Sequence, residues 1–144
     1  MDTRLFQDWL DHVSDCVIAD DFENWAGHFG LPLSVESDIG PSVIATNDAL
    51  HEKFMRWRQM FKAHAVNDMI RTVRDVTRAA DDCIVGHYDT DILHNGKRVK
   101  PRFSSQITLK LQGNTWRCVA VRTGMQASDR HLFHTPSAQD HAVR

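Results

Sequence analysis

Apolar residues at the start of the chain recur every three or four positions. Leu5, Phe6, Trp9, Leu10, Val13, Cys16 and Val17 make a single stripe, which predicts an amphipathic helix of about four turns. A second, short helix follows at once. Asp20 is placed to cap it, Glu23 sits where a capping box needs an acid, and Phe22, Trp25, Ala26 and Phe29 supply its buried side. Gly30 then reads as its C-terminal stop, because glycine enters the left-handed conformation without steric cost. Two short strands are predicted next, Leu31–Ser37 and Ser42–Thr46, around a turn at Asp38-Ile39-Gly40-Pro41. Asn47 reads as the cap of a third helix. Leu50, Phe54, Trp57 and Phe61 lie on one face of it, and Lys53, Arg56, Arg58 and Lys62 occupy the rest.

From Asn67 the period changes from helical to extended. Strands are predicted at roughly 67–80, 82–94, 101–112 and 115–124. The turns between them, Asp81-Asp82, Asn95-Gly96 and Gly113-Asn114, use residue types that tolerate positive φ. From Gln126 no apolar pattern is sustained, so one domain over 1–125 is expected to end in a loosely ordered tail, 126–144. The order α-α-β-β-α-β-β-β-β gathers helices early and strands late. It predicts an α+β fold with helices on one face of a curved antiparallel sheet, the first two closing its open end like the base of a cone.

A chain of 144 residues suits one domain with a real core, and 42% hydrophobic with 25% charged residues is globular composition. The net charge of −2 argues against general attraction to nucleic acid or an anionic membrane. Basic residues between Lys53 and Lys62 and between Arg71 and Arg78 are interspersed with acids and read as a solvated face. Cys16, Cys83 and Cys118 form no CxxC pair and sit in apolar stretches, as small hydrophobes do in a reducing compartment. Met1-Asp2-Thr3-Arg4 leads into an amphipathic segment, neither signal peptide nor membrane span, so a cytoplasmic protein is expected. His131, His134 and His141 resemble ligand spacing but have no cysteine or carboxylate cluster at a fixed offset. No metal site is expected from them, and no glycine-rich phosphate loop or other cofactor motif is present.

Several segments together carry a family likeness. They are Asp20-Asp21-Phe22-Glu23-Asn24-Trp25 after the first helix, Leu31-Pro32-Leu33 opening the first strand, and Val43 to Leu50 running into the third helix. Gly113-Asn114-Thr115-Trp116-Arg117-Cys118 begins the last strand. In order and spacing, over residues 4–124, the chain resembles the nuclear transport factor 2-like superfamily, in particular its SnoaL-like branch. The resemblance implies a cystatin-like cone with a ligand pocket between the helices and the concave sheet, and a homodimer formed through the outer sheet face. Trp9, Trp25, Phe29, Phe103 and Trp116 are then the candidate walls, with His28 near the mouth. Such folds host many chemistries as well as proteins with none, so the site must supply the function. The enzymes of the superfamily do not transfer. The one tyrosine, Tyr88, is on a strand rather than the first helix, and Arg74 and Asp75 are adjacent where a spacing of two is needed. No histidine lies on the strand beside His87.

Strand alternation puts Cys83, Val85, His87 and Asp89 on one side and Ile84, Gly86, Tyr88 and Thr90 on the other. If the first set faces inward, His87 and Asp89 form an acid/base pair working near neutral pH. If it faces outward, both are solvated or belong to a dimer contact, and Tyr88 is the pocket residue. Asp68, Arg71 and Asp75 are expected to pair within the sheet, with Asp68 or Arg71 the candidates for pointing into the cone. Three functional readings follow. One is a pocket protein doing isomerase-, dehydratase- or cyclase-type proton transfer on an apolar carbonyl or hydroxyl compound, with a cavity of roughly a few hundred Å³. The second is a carrier with the same pocket and no catalysis. The third is a dimeric interaction module whose cone is filled by side chains.

Overall fold

The predicted first stripe becomes α1 (Asp2–Ile18), which buries Phe6, Trp9, Leu10, Val13 and Val17. The computed structural model describes residues 2–124. The expected tail, the domain boundary at 125 and the three late histidines lie outside the described residues. After α1 come α2 (Phe22–Ala26), β1 (Phe29–Ser37), β2 (Gly40–Ile44) and α3 (Asn47–Ala63). The rest is β3 (Asp68–Ala80), β4 (Cys83–His94), the two-residue β5 (Lys97–Arg98), β6 (Phe103–Gln112) and β7 (Thr115–Thr123). No helix among the described residues is long and apolar enough to cross a membrane.

The strands form one sheet in the order β2-β1-β7-β6-β4-β3, with β5 on β4. Strands β3, β4, β6 and β7 make the expected antiparallel meander. The β1–β2 hairpin joins it through β1 and β7, which run parallel. α3 carries the chain between the two edge strands, β2 and β3. Helices cover the concave face, as expected for the α+β cone, and the core lies between the layers. Phe6, Leu10, Phe54, Phe61, Ile84 and Leu109 are fully enclosed there.

Several local expectations shift. Asp21, not Asp20, caps α2 by accepting the Asn24 N–H at 3.2 Å. Asp20 instead takes a positive φ of 57° and lies 3.4 Å from Arg58. Likewise Thr46 caps α3 by accepting from Ala49 N at 3.1 Å, and Asn47 is the first helical residue. Gly30 does not stop a helix, because α2 has already ended and Phe29 and Gly30 open β1. A β-carbon at Gly30 would lie 3.0 Å from both Gln112 and Val119, so this glycine serves the close approach of strands. Gly86 has a similar use: a β-carbon there would overlap the Phe6 ring.

The register of β3 against β4 slips between Val73 and Asp75. This bulge overturns the expectation that Arg74 and Asp75 face opposite ways, since an extra residue resets the alternation. Both now point outward, Arg74 to Asp89 at 3.5 Å and Asp75 to His87 at 2.9 Å. The Gln7 side chain of α1 spans the irregular stretch, donating to Arg71 O at 2.6 Å and accepting from Val73 N at 3.1 Å.

Candidate functional site

Between the helices and the concave sheet lies a cavity of about 40 Å³. α1 contributes Trp9, Val13 and Val17, α2 contributes Trp25, and Phe29 comes from the start of β1. Lys53 and Trp57 reach it from α3, and Arg71, Tyr88, Ile107, Cys118 and Val121 from the sheet. Space of this size holds about three water molecules, well short of the expected few hundred Å³. Three indoles and two long basic side chains occupy much of the cone.

Lys53 departs furthest from expectation. It is 5% exposed, on the inner face of α3 beside Leu50, Phe54 and Trp57, rather than on the solvated face. Burial drives its pKa well below the ordinary lysine value, with Arg56 and Arg71 pushing the same way and Cys118 opposing. The Cys118 thiol is pushed up to about 12 by burial, so it stays protonated near neutral pH. Burial also raises the Tyr88 phenol, against the field of Arg71 and a side-chain hydrogen bond with Ser105. The Arg71 guanidinium lies over the Tyr88 ring, 5.6 Å from its centre. Its Nε is buried and has no hydrogen-bond partner.

Of the sequence-predicted residues, the structure brings Trp9, Trp25, Phe29 and Tyr88 together at this cavity. Phe103 is in the buried core but does not line it. Trp116 is one layer out: its backbone oxygen accepts from Trp9 Nε1 at 3.1 Å, and Arg78 lies over its ring. His28 is half-buried behind Trp9, ring centres 5.7 Å apart, and donates from Nδ1 to Asn24 O at 2.8 Å.

His87 and Asp89 are on the other side of the sheet. His87 is exposed and its Nδ1 is 2.9 Å from Asp75. Asp89 accepts from Ser104 Oγ at 2.7 Å and faces Arg74 and Arg102. Neighbouring Asp91 is gripped by Arg102 and Arg98, each at 2.7 Å, and the Arg102 hydrogen bond is the main cause holding its pKa down to about 2. The inward placement of His87 is therefore not the one adopted. β4 turns Ile84, Gly86, Tyr88 and Thr90 toward the helices because α1 packs its apolar stripe there. Among the described residues no three His, Cys, Asp or Glu side chains gather closely enough to hold a metal ion.

Reading α3 as a solvated face missed Lys53, although its spacing was informative. Residue 53 stands three after Leu50 and four before Trp57, and so belongs to the stripe. A cation in that stripe marks a buried polar site. Arg71 was one of two residues named as able to point inward. The bulge that follows it, held by Gln7, leaves no mark in a strand's alternation.

No family model matches the chain, and no curated protein matches it. Solved structures match by fold. An NTF2-like protein with a cystatin-like fold from Novosphingobium aromaticivorans is 11% identical, with a TM-score of 0.64 over 93% of this chain and 90% of that one. An NTF2-like protein of unknown function from Shewanella oneidensis MR-1 is 10% identical, with a TM-score of 0.62 over 86% and 99%. A putative calcium/calmodulin-dependent protein kinase type II association domain from Thiobacillus denitrificans is 13% identical, with a TM-score of 0.61 over 82% and 92%. At such identities the likeness is one of fold.

Proposed function

On a nuclear transport factor 2-like, cystatin-like fold, we propose that this chain is a small-molecule pocket protein, its ligand held in the cone with the polar end at Lys53, Arg71 and Tyr88. The burial of Lys53 carries this reading. Taking an amine out of water carries a desolvation cost that its contacts must offset, whereas an aliphatic residue at that point of the α3 stripe would carry none. Such costs are met most often where a group has work to do. Apolar walls with a few convergent polar groups are the usual form of a ligand site. Acid/base chemistry on a carbonyl or hydroxyl compound would fall to Lys53, whose pKa burial lowers, and to Tyr88, rather than to His87 and Asp89. A carrier is the same site without turnover.

The test is nuclear magnetic resonance of the tryptophan indole N–H groups during titration with a library of small fragments. Trp25 and Trp57 line the cavity and Trp116 does not, so the chain carries its own control. Binding in the cone should move Trp25 and Trp57 saturably and leave Trp116 still. If every fragment that binds leaves Trp25 and Trp57 unmoved, the cone is only a core.

A second reading concerns assembly. The outer face of β3, β4 and β6 presents Arg74, Asp75 and His87 together, with Ile70 exposed beside them. Charges of both signs on one surface suit a contact with a second copy across a two-fold axis. The free thiols Cys16, Cys83 and Cys118 support a reducing, cytoplasmic setting.

A further inference from the structure

Arg71 is set apart from other arginines of this protein. Arg58, Arg78, Arg98 and Arg102 each lie within 4.0 Å of a carboxylate. Arg71 faces the cavity instead, stacked on Tyr88, with its Nε buried and unbonded. A guanidinium stays charged at every physiological pH, so it cannot escape the cost of burial by losing its proton. Among the described residues lining the cavity there is no Asp or Glu. The other ionisable groups there, the Cys118 thiol and the Tyr88 phenol, are held protonated and supply no negative charge. Among the described lining residues, then, none offers the Arg71 guanidinium a negative charge. Its backbone anchor is also fixed, because Gln7 holds the strand on both sides of residue 72.

From these observations, and resting on the pocket reading above, we infer that the ligand is a small monocarboxylate whose carboxylate lies against Arg71 and whose short apolar part meets Trp25 and Trp57. A carboxylate matches the planar fork of a guanidinium, accepting two parallel hydrogen bonds, one of which satisfies an otherwise orphaned donor. Size selects within that class. A cavity of about 40 Å³ takes roughly three water-sized atoms without moving a side chain, so acetate is the member that fits with least movement and each longer acid must displace more of the lining. Ligands of this size bind weakly in absolute terms, with Kd in the millimolar range.

The experiment titrates the full chain with acetate, propionate and butyrate, and in parallel with acetamide, propionamide and butyramide, which keep the shape and remove the charge. Inorganic phosphate is included as a differently shaped anion. The readouts are the indole N–H resonances of Trp25, Trp57 and Trp116. The inference expects at least one carboxylate to move Trp25 and Trp57 saturably, with its amide about tenfold weaker or worse. Arg71→Gln should weaken the carboxylate by about tenfold and abolish the preference over the amide, and Arg71→Lys should restore part of it. The wild-type comparison of acid with amide stands even if a variant folds poorly. Amides that move Trp25 and Trp57 as readily as the acids overturn the carboxylate inference and leave the pocket reading intact. Phosphate binding there more tightly than any carboxylate overturns the class of anion. Carboxylates that bind without moving either indole overturn the site. If neither these probes nor any library fragment moves Trp25 and Trp57, the inference and the pocket reading fall together.

Discussion

A lysine enclosed among indole rings works against its own fold when charged, and that opposition has a pH dependence of definite sign. The folded-state pKa of Lys53 lies well below the ordinary lysine value of 10.5, because burial disfavours the charged amine. Between these two values the unfolded chain binds more protons at this residue than the folded one, so folding strengthens as pH rises through the window. Below the folded pKa the amine is charged in both states and the full penalty applies. Lys53→Met, which keeps the length and removes the charge, should therefore gain on the unmodified protein as pH falls through the window, by about 1 kcal/mol or more. The advantage should shrink steadily toward pH 10.5. Urea unfolding of both proteins at several pH values reads the difference, in which the remaining lysines and tyrosine cancel. A difference that is constant with pH would mean that burial of the amine is not what Lys53 contributes.

At the scale of elements, the seat of α1 on the sheet depends on one missing side chain. Phe6 is wholly enclosed and its ring occupies the space that a β-carbon on Gly86 would need. Gly86→Ala should cost about 1–3 kcal/mol through overpacking. Phe6→Leu in the same chain should recover part of that loss, because the ring is the obstacle. Guanidinium unfolding of the two single variants and the double variant gives the coupling, and strictly additive losses would show that the two residues do not compete for space. The sequence made the elements themselves legible, since the α1 stripe and the long alternating strands bury the residues their periods select. It did not separate a glycine that ends a helix from one that lets another element approach. Gly30 and Gly86 both required the packed neighbour, Val119 or Phe6, to be interpreted. The caps shifted by one residue for a related reason: Asp20-Asp21 and Thr46-Asn47 each offer two candidates, and only backbone geometry chooses. At the site, the aromatic walls Trp9, Trp25 and Phe29 were legible as apolar stripe residues. The side of β4 facing the cone was not, because both of its alternating sets are partly apolar and only the seating of α1 distinguishes them.

Across the whole molecule, one sheet separates two chemistries. Its concave side holds the cavity with Lys53 and Arg71, and its convex side holds a lattice of ion pairs around Asp89 and Asp91. These arginine–carboxylate pairs leave Arg74, Asp75 and His87 substantially solvated, with Ile70 as an apolar neighbour on β3. If a second copy docks there, the charged contact should weaken with salt, since exposed charges are screened beyond about 10 Å at 0.1 M ionic strength. Sedimentation equilibrium at low salt should then show a dimer that dissociates as salt is added. Arg74→Glu, which places a third acid beside Asp75 and Asp89, should shift the equilibrium to monomer by about tenfold or more in Kd. Ile70→Lys should act in the same direction by removing apolar area. Because both residues lie across the sheet from the cavity, acetate titration of either variant should move Trp25 and Trp57 as in the unmodified chain. A monomer at every concentration in low salt would remove the outer face as a self-association surface. A dimer indifferent to both substitutions would place the contact elsewhere on the molecule.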